Sequence, residues 1–219
     1  MSSTANIPML YVEGNDDKHA IIALLKRHGI DMANGRRPVM IKDHNGVERL
    51  LEAMPEATRT ATDRPVGFVL DVDVEISDRW AAVCSRLKDA GLVPPTVCPA
   101  DGYFGQLPGY AHQVGVWMMP DCVSDHGKLE HLLKTLVPAA DRLWPHAEQT
   151  TDQAKKMGGR FSNNDQIKAT THCWLAWQQE PGKPFGTAIS ARFLRHDSPE
   201  ALAFLRWLKR LFSLHDLAV

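Results

Sequence analysis

Residues Val66-Gly67-Phe68-Val69-Leu70 form an unbroken apolar run that stops at Asp71-Val72-Asp73. A strand with one wet face alternates apolar and polar residues. A run with no polar member needs cover on both faces, as at the centre of a parallel sheet. Parallel strands cannot be joined by tight hairpins, so helices must intervene. The chain supplies them in order. Residues 9–12 are a first apolar strand. In the helix after it, Asn15 can act as cap, Asp16 and Asp17 suit the positive end, Ile21, Leu24, Leu25 and His28 repeat at helical spacing, and Gly29 suits the stop. Residues 39–42 predict a second strand, and Val47, Leu50, Leu51 and Met54 the buried face of a second helix.

After the central run, Ser77 can cap a helix carrying Trp80, Val83, Cys84 and Leu87 up to Gly91. Residues 93–97 read as a further strand, residues 99–112 as a Gly- and Pro-rich loop, and residues 114–119 as a strand ending in Pro120-Asp121. A helix from about Lys128 turns Leu129, Leu132, Leu133 and Leu136 inward. This alternation predicts an α/β fold, a parallel sheet with helices on both faces in a Rossmann-like three-layer arrangement. The C-terminal third reads as helical: residues 138–157 with an interruption at Pro145, residues 164–179, a turn at 181–186, and a last helix capped by Ser198 with Pro199 in its first turn. No low-complexity linker divides the chain. It is expected to form a single domain over residues 1–219, with a core over about 8–137 and a helical extension over about 138–219.

The formal net charge of −1 excludes a global basic field for gripping nucleic acid. A polyanionic substrate would have to be held by local basic groups or bound cations. The best basic stretch is Lys155, Lys156, Arg160 and Lys168 with Asn163 and Asn164, which also suits a solvated loop. Cys84, Cys98, Cys122 and Cys173 are widely spaced, without C-x-x-C pairs or zinc-finger histidines, and read as reduced thiols. The first eight residues carry no basic start followed by an apolar stretch, and no run is long enough to span a bilayer. A cytoplasmic protein with no membrane partner is expected.

Three predicted strands end in acids: Glu13, Asp71 with Asp73, and Asp121. Parallel sheets place functional groups beyond the carboxyl ends of their strands, and alternate strand residues such as Asp71 and Asp73 face one side. Clustered carboxylates suit Mg²⁺, which relieves their mutual repulsion. Against this, Asp after a strand is a common turn residue, and Asp16 and Asp17 suit any helix N-terminus.

The segments Leu10-Tyr11-Val12-Glu13-Gly14-Asn15-Asp16-Asp17 and Phe68-Val69-Leu70-Asp71-Val72-Asp73 together resemble the signature of the TOPRIM domain, shared by type II and type IA topoisomerases, bacterial primases and OLD-family nucleases. The likeness is closest to the OLD-like branch and to small uncharacterised bacterial relatives. It implies a Mg²⁺- or Mn²⁺-dependent site acting on phosphodiester bonds of nucleic acid, DNA ahead of RNA. By the same resemblance Glu13, Asp17, Asp71, Asp73 and Glu130 are the metal ligands. Glu13 is a candidate general acid or base, and Lys168 a basic residue facing charge on the phosphate. OLD proteins also carry an ATPase domain. This chain shows no Walker A sequence, so it would act alone, as a homo-oligomer or with a protein partner.

Other readings stay open. Glu130 can pair with Lys134 on one helix face, and Lys168 can be a solvated charge. Asp121 and Asp125 can approach the site or only shape a loop. His126 and His131 lack the spacing of a zinc hydrolase, and Trp174, Trp177 and Trp207 fall at core spacing. An apolar strand running into Asp-x-Asp also fits a HAD-like phosphatase with Asp71 as nucleophile, and a TOPRIM-like module can bind nucleic acid or protein without chemistry.

Overall fold

The computed structural model describes residues 7–33, 37–73 and 75–219. Strands β1 (Met9–Val12), β2 (Met40–Asp43), β3 (Val66–Asp71), β4 (Tyr103–Gly105) and β5 (Val114–Met119) form one five-stranded sheet in the order β2-β1-β3-β5-β4. The pairs β1–β2, β1–β3 and β3–β5 are parallel, and β4 runs antiparallel along the edge of β5. Helices α1 (Asn15–Arg27), α2 (Val47–Thr60), α3 (Ile76–Asp89) and α4 (Leu129–Thr135) belong to the alternating part. Helices α5 (Leu143–Lys156), α6 (Gln166–Ala176), α7 (Phe185–Ser190) and α8 (Pro199–Phe212) follow.

β3 is the central strand, flanked by β1 and β5, and the apolar residues of β3 and β5 are buried throughout. The connection β1-α1-β2 moves toward one edge of the sheet and β2-α2-β3 moves back toward the other. Right-handed crossovers therefore put α1 and α2 on opposite faces. α2 packs against α3. α8 lies on the face that carries Gly67 and Gly115, which are register partners in β3 and β5. A Cβ would stand 2.8 Å from Leu211 at Gly67 and 2.6 Å from it at Gly115. The missing side chains make a trough for the helix. Trp117, two residues beyond Gly115 and on the same face, meets Phe204 and Trp207 of α8. The same alternation carries Asp71 to that side of β3.

The structure departs from the sequence reading in several places: Gly14 and Glu75, not Asn15 and Ser77, take the N-cap positions of α1 and α3. Residues 93–97 form no strand; Val93 and Val97 are exposed, and Pro94 and Pro95 between them cannot donate to a ladder. Within the expected loop, β4 pairs with β5 and buries Tyr103. Three residues are too few to show a period. Pro145 sits in the first turn of α5, where no N–H is required, and causes no break. The 164–179 helix is instead a 3-10 turn, Asn163–Asp165, leading into α6, which ends at Ala176. The expected turn at 181–186 runs into α7. The Ser198 cap is present, its hydroxyl accepting from the Ala201 N–H.

α7 packs closely on α1 because Gly186 has no side chain: a Cβ there would overlap the His19 backbone carbonyl oxygen and lie 2.7 Å from its carbon. Backbone cannot rotate aside. Gly186→Ala is therefore expected to cost about 2 kcal/mol or more in urea denaturation, whereas the usual propensity gain of Gly→Ala in a helix has the opposite sign.

Candidate acidic site at the strand ends

Glu13 follows β1 directly, and Asp71 closes the neighbouring strand β3. The Asp71 N–H donates to Glu13 Oε1 at 2.8 Å, and the Leu129 N–H at the start of α4 donates to Asp71 Oδ1 at 3.1 Å. Asp17, in the first turn of α1, accepts the Gly14 N–H at 3.0 Å. This bond fixes the turn between β1 and α1 and points the carboxylate back toward the strand ends. Glu130 is the second residue of α4. Asp17 and Glu130 are only 8% and 5% exposed, so neither is a solvated helix charge.

Asp17, Asp71 and Glu130 line a cavity of about 240 Å³ together with Lys128, Asp165 and Lys168. Lys168 Nζ stands 4.0 Å from Glu130 Oε1, while Lys134, the alternative partner of Glu130, pairs with Glu148 at 2.8 Å. Asp73 is placed differently. β3 ends at Asp71, so strand alternation does not extend to Asp73, whose backbone is left-handed (φ +63°). Its carboxylate receives Arg79 at 2.7 Å and Lys128 at 3.3 Å.

The electrostatics follow from this crowding. Burial pushes the Glu13 pKa up to about 7; the Asp71 N–H opposes the rise, and Asp17 and Asp73 add to it. Burial likewise raises Asp17 to about 6 against its backbone hydrogen bonds, with Glu130 and Asp16 raising it further. Asp71 is raised well above the usual carboxylate range, first by burial and then by Asp17, Glu13, Glu130 and Asp73. At Lys128 burial opposes the charge, but Asp73 and Asp165 outweigh it and raise the pKa.

These are hard oxygen donors, the kind that holds Mg²⁺ or Mn²⁺, and a cation would relieve a repulsion that burial makes costly. Among the described residues, no three His, Cys, Asp or Glu side chains are grouped as they would be around a bound ion. Glu13 and Asp71 each commit one named oxygen to a backbone N–H. The donor atoms are of the kind a divalent cation takes, although their present spacing is not that of a filled ion site.

Sequence reasoning assigned no role to Arg79, Lys128 or Asp165. None belongs to a recognisable spacing, and Lys128 read only as a helix start. Asp121 shapes a loop, its Oδ1 accepting the Val123 and Ser124 N–H groups at 3.0 and 2.8 Å. Asp125 faces a separate cavity beside Trp80 and Cys122. Trp174 and Trp207 are core residues, whereas Trp177 is partly exposed and stacks on His146. Lys156 and Arg160 are exposed, and Lys155 donates to the Phe161 carbonyl.

A family model described as protein of unknown function (DUF3226) matches residues 7–213, nearly the whole chain. The chain belongs to the DUF3226 family. No curated protein and no solved structure matches this DUF3226 chain. The family description assigns no activity, so the site has to be argued from its chemistry.

The Glu13 shift has a signed consequence for the metal-free protein. Between the ordinary value of 4.5 and the folded value of about 7, the folded protein keeps a proton that the unfolded chain has released. Raising the pH through that window lowers stability, and the full penalty is present above it. Gln at position 13 can still accept the Asp71 N–H but carries no charge. In EDTA-treated protein, Glu13→Gln is expected to melt a few degrees above the wild type near pH 8, the gap closing toward about pH 4.5. Thermal melts across that range check it. The depressed histidines His44, His131 and His196 act in both proteins and cancel in the difference.

Proposed function

We propose that this DUF3226 protein is a TOPRIM-like enzyme dependent on Mg²⁺ or Mn²⁺ that cleaves or transfers phosphodiester bonds of nucleic acid, DNA ahead of RNA. The observation that supports the reading is the convergence of four acids from separate elements. Asp17 from α1, Asp71 from β3 and Glu130 from α4 line one cavity with Lys128 and Lys168, and Glu13 from the end of β1 accepts the Asp71 N–H. Isolated structural acids rarely gather at such a cost in desolvation.

Asp17, Asp71 and Glu130 would hold the ion, with Glu13 beside them. When bound, a divalent cation supplies charge neutralisation at the phosphate and a more acidic water. Glu13, raised to about 7, can accept or return a proton near neutral pH, the property required of a general acid or base. Lys168 and Lys128 offer positive charge to the phosphate oxygens, a local attraction that the formal net charge of −1 does not supply. Among the described residues no helix is long and apolar enough to cross a membrane. Nucleic acid, a protein partner or a second copy of the chain are the partners this reading admits.

The test is cleavage of plasmid and single-stranded DNA with Mg²⁺ or Mn²⁺. EDTA is expected to abolish it, and Asp71→Asn to lower it by about a hundredfold or more. Cleavage without metal, or activity surviving Asp71→Asn, would overturn the reading. A covalent phosphate trapped on Asp71 would identify a phosphatase in its place.

A further inference from the structure

The two acids of Asp71-Val72-Asp73 do different things. Asp71 lines the cavity and Asp73 does not. Asp73 stands in a chain of ion pairs: its Oδ2 receives Arg79 at 2.7 Å, its Oδ1 receives Lys128 at 3.3 Å, and Lys128 lies 3.4 Å from Asp165. The Asp73 N–H is held by the Gly127 carbonyl at 2.9 Å, which ties the Asp73 turn to the start of α4. Asp165 is anchored in turn, its Oδ2 accepting the Ser162 hydroxyl at 2.6 Å. Recruiting Asp73 to an ion would compete with both of its ion pairs, leaving the half-buried Arg79 without this partner and Lys128 with Asp165 alone, a costly exchange.

We propose that Asp73 is a positioning residue, which with Asp165 holds the Lys128 ammonium at the cavity to contact the phosphate oxygens of the substrate, while the divalent ion rests on Asp71 and its neighbours without Asp73. The assignment rests on the metal-dependent reading above. An ammonium has three N–H donors. One is donated to Asp165, Asp73 faces the same ammonium as an ion pair, and donor capacity remains for a phosphate oxygen. The Lys128 side chain is 14% exposed and its ammonium lies between two carboxylates, whereas that of Lys168 is 50% exposed and stands 4.0 Å from Glu130. Fixing Lys168 on a phosphate would cost side-chain entropy that Lys128 has already lost. Gly127 makes this placement feasible: a Cβ there would overlap the Pro120 ring and stand 3.1 Å from the Met119 carbonyl oxygen. The far end of the arrangement, Asp165, belongs to the helical C-terminal third, so the substrate site joins that third to the sheet.

The test uses the full chain and two readouts. Mn²⁺ affinity is measured by electron paramagnetic resonance for the wild type, Asp71→Asn, Asp73→Asn, Lys128→Met and Lys128→Arg. Binding of a fluorescein-labelled single-stranded phosphorothioate DNA to the Mn²⁺-loaded proteins is then followed by anisotropy. Asp71→Asn is expected to weaken Mn²⁺ about tenfold or more, while Asp73→Asn and Lys128→Met stay within about threefold of wild type. Lys128→Met is expected to weaken DNA about tenfold, Asp73→Asn to weaken it in the same direction, and Lys128→Arg to recover most of the loss. Retained Mn²⁺ affinity also shows that each variant is folded. If Asp73→Asn releases Mn²⁺ as fully as Asp71→Asn, or if Lys128→Met leaves DNA affinity unchanged, this assignment is overturned alone. If the wild type binds no Mn²⁺, the metal-dependent reading falls and the assignment falls with it.

Discussion

Asp71 is a half-buried carboxylate at the meeting point of three elements. Its amide donates to Glu13 at the end of β1, and its side chain accepts the first N–H of α4. A buried acid requires donors or countercharge, and a helix N-terminus supplies both unpaired N–H groups and a positive dipole end. α1 and α4 each bring such an end to the strand termini, and each carries an acid of its own, Asp17 and Glu130, into the same space. The outcome is a concentration of negative charge that the protein alone does not neutralise. Burial first, and then this crowding of carboxylates, raises the Glu13, Asp17 and Asp71 values.

The rest of the fold keeps that point rigid. β3 is the centre of the sheet, and its Gly67 with the paired Gly115 of β5 lets α8 approach closely enough for Leu211 and Trp207 to pack on the strands. Gly186 does the same for α7 against α1. α1 is therefore held on its outer side, and Asp17 at its N-terminal turn is placed by packing as well as by its bond to Gly14. The C-terminal third is part of the site's support, because Asp165 and Lys168 reach the cavity from it.

Strong local signals were legible without coordinates. The central apolar run is β3, the Ser198-Pro199 start of α8 is as read, and Gly29 and Gly91 follow α1 and α3 in left-handed backbone. The failures have local causes. Pro94 and Pro95 cancel a valine-rich segment as a strand, and Pro145 is harmless because it falls in a first turn. β4 and α7 are too short for a period to emerge, and they form only because β5 and α1 offer surfaces to pack on. Of the acids near the strand ends, Glu13, Asp71 and Asp73 were marked by the ends of predicted strands, while Asp17 and Glu130 were named only through the resemblance to the TOPRIM signature.

The sequence by itself determined the alternation of strands and helices and the placing of acids at strand ends, because apolar period and capping chemistry act over a few neighbouring residues. Tertiary structure alone decided what surrounds each acid. Asp71 and Asp73 are two residues apart and chemically identical, yet one is hydrogen-bonded with Glu13 and Leu129 and the other is ion-paired with Arg79 and Lys128. The Lys128–Asp165 contact that completes the second arrangement joins residues 37 positions apart. Electrostatic environment is summed over space, and a pairing of that range leaves no pattern along the chain.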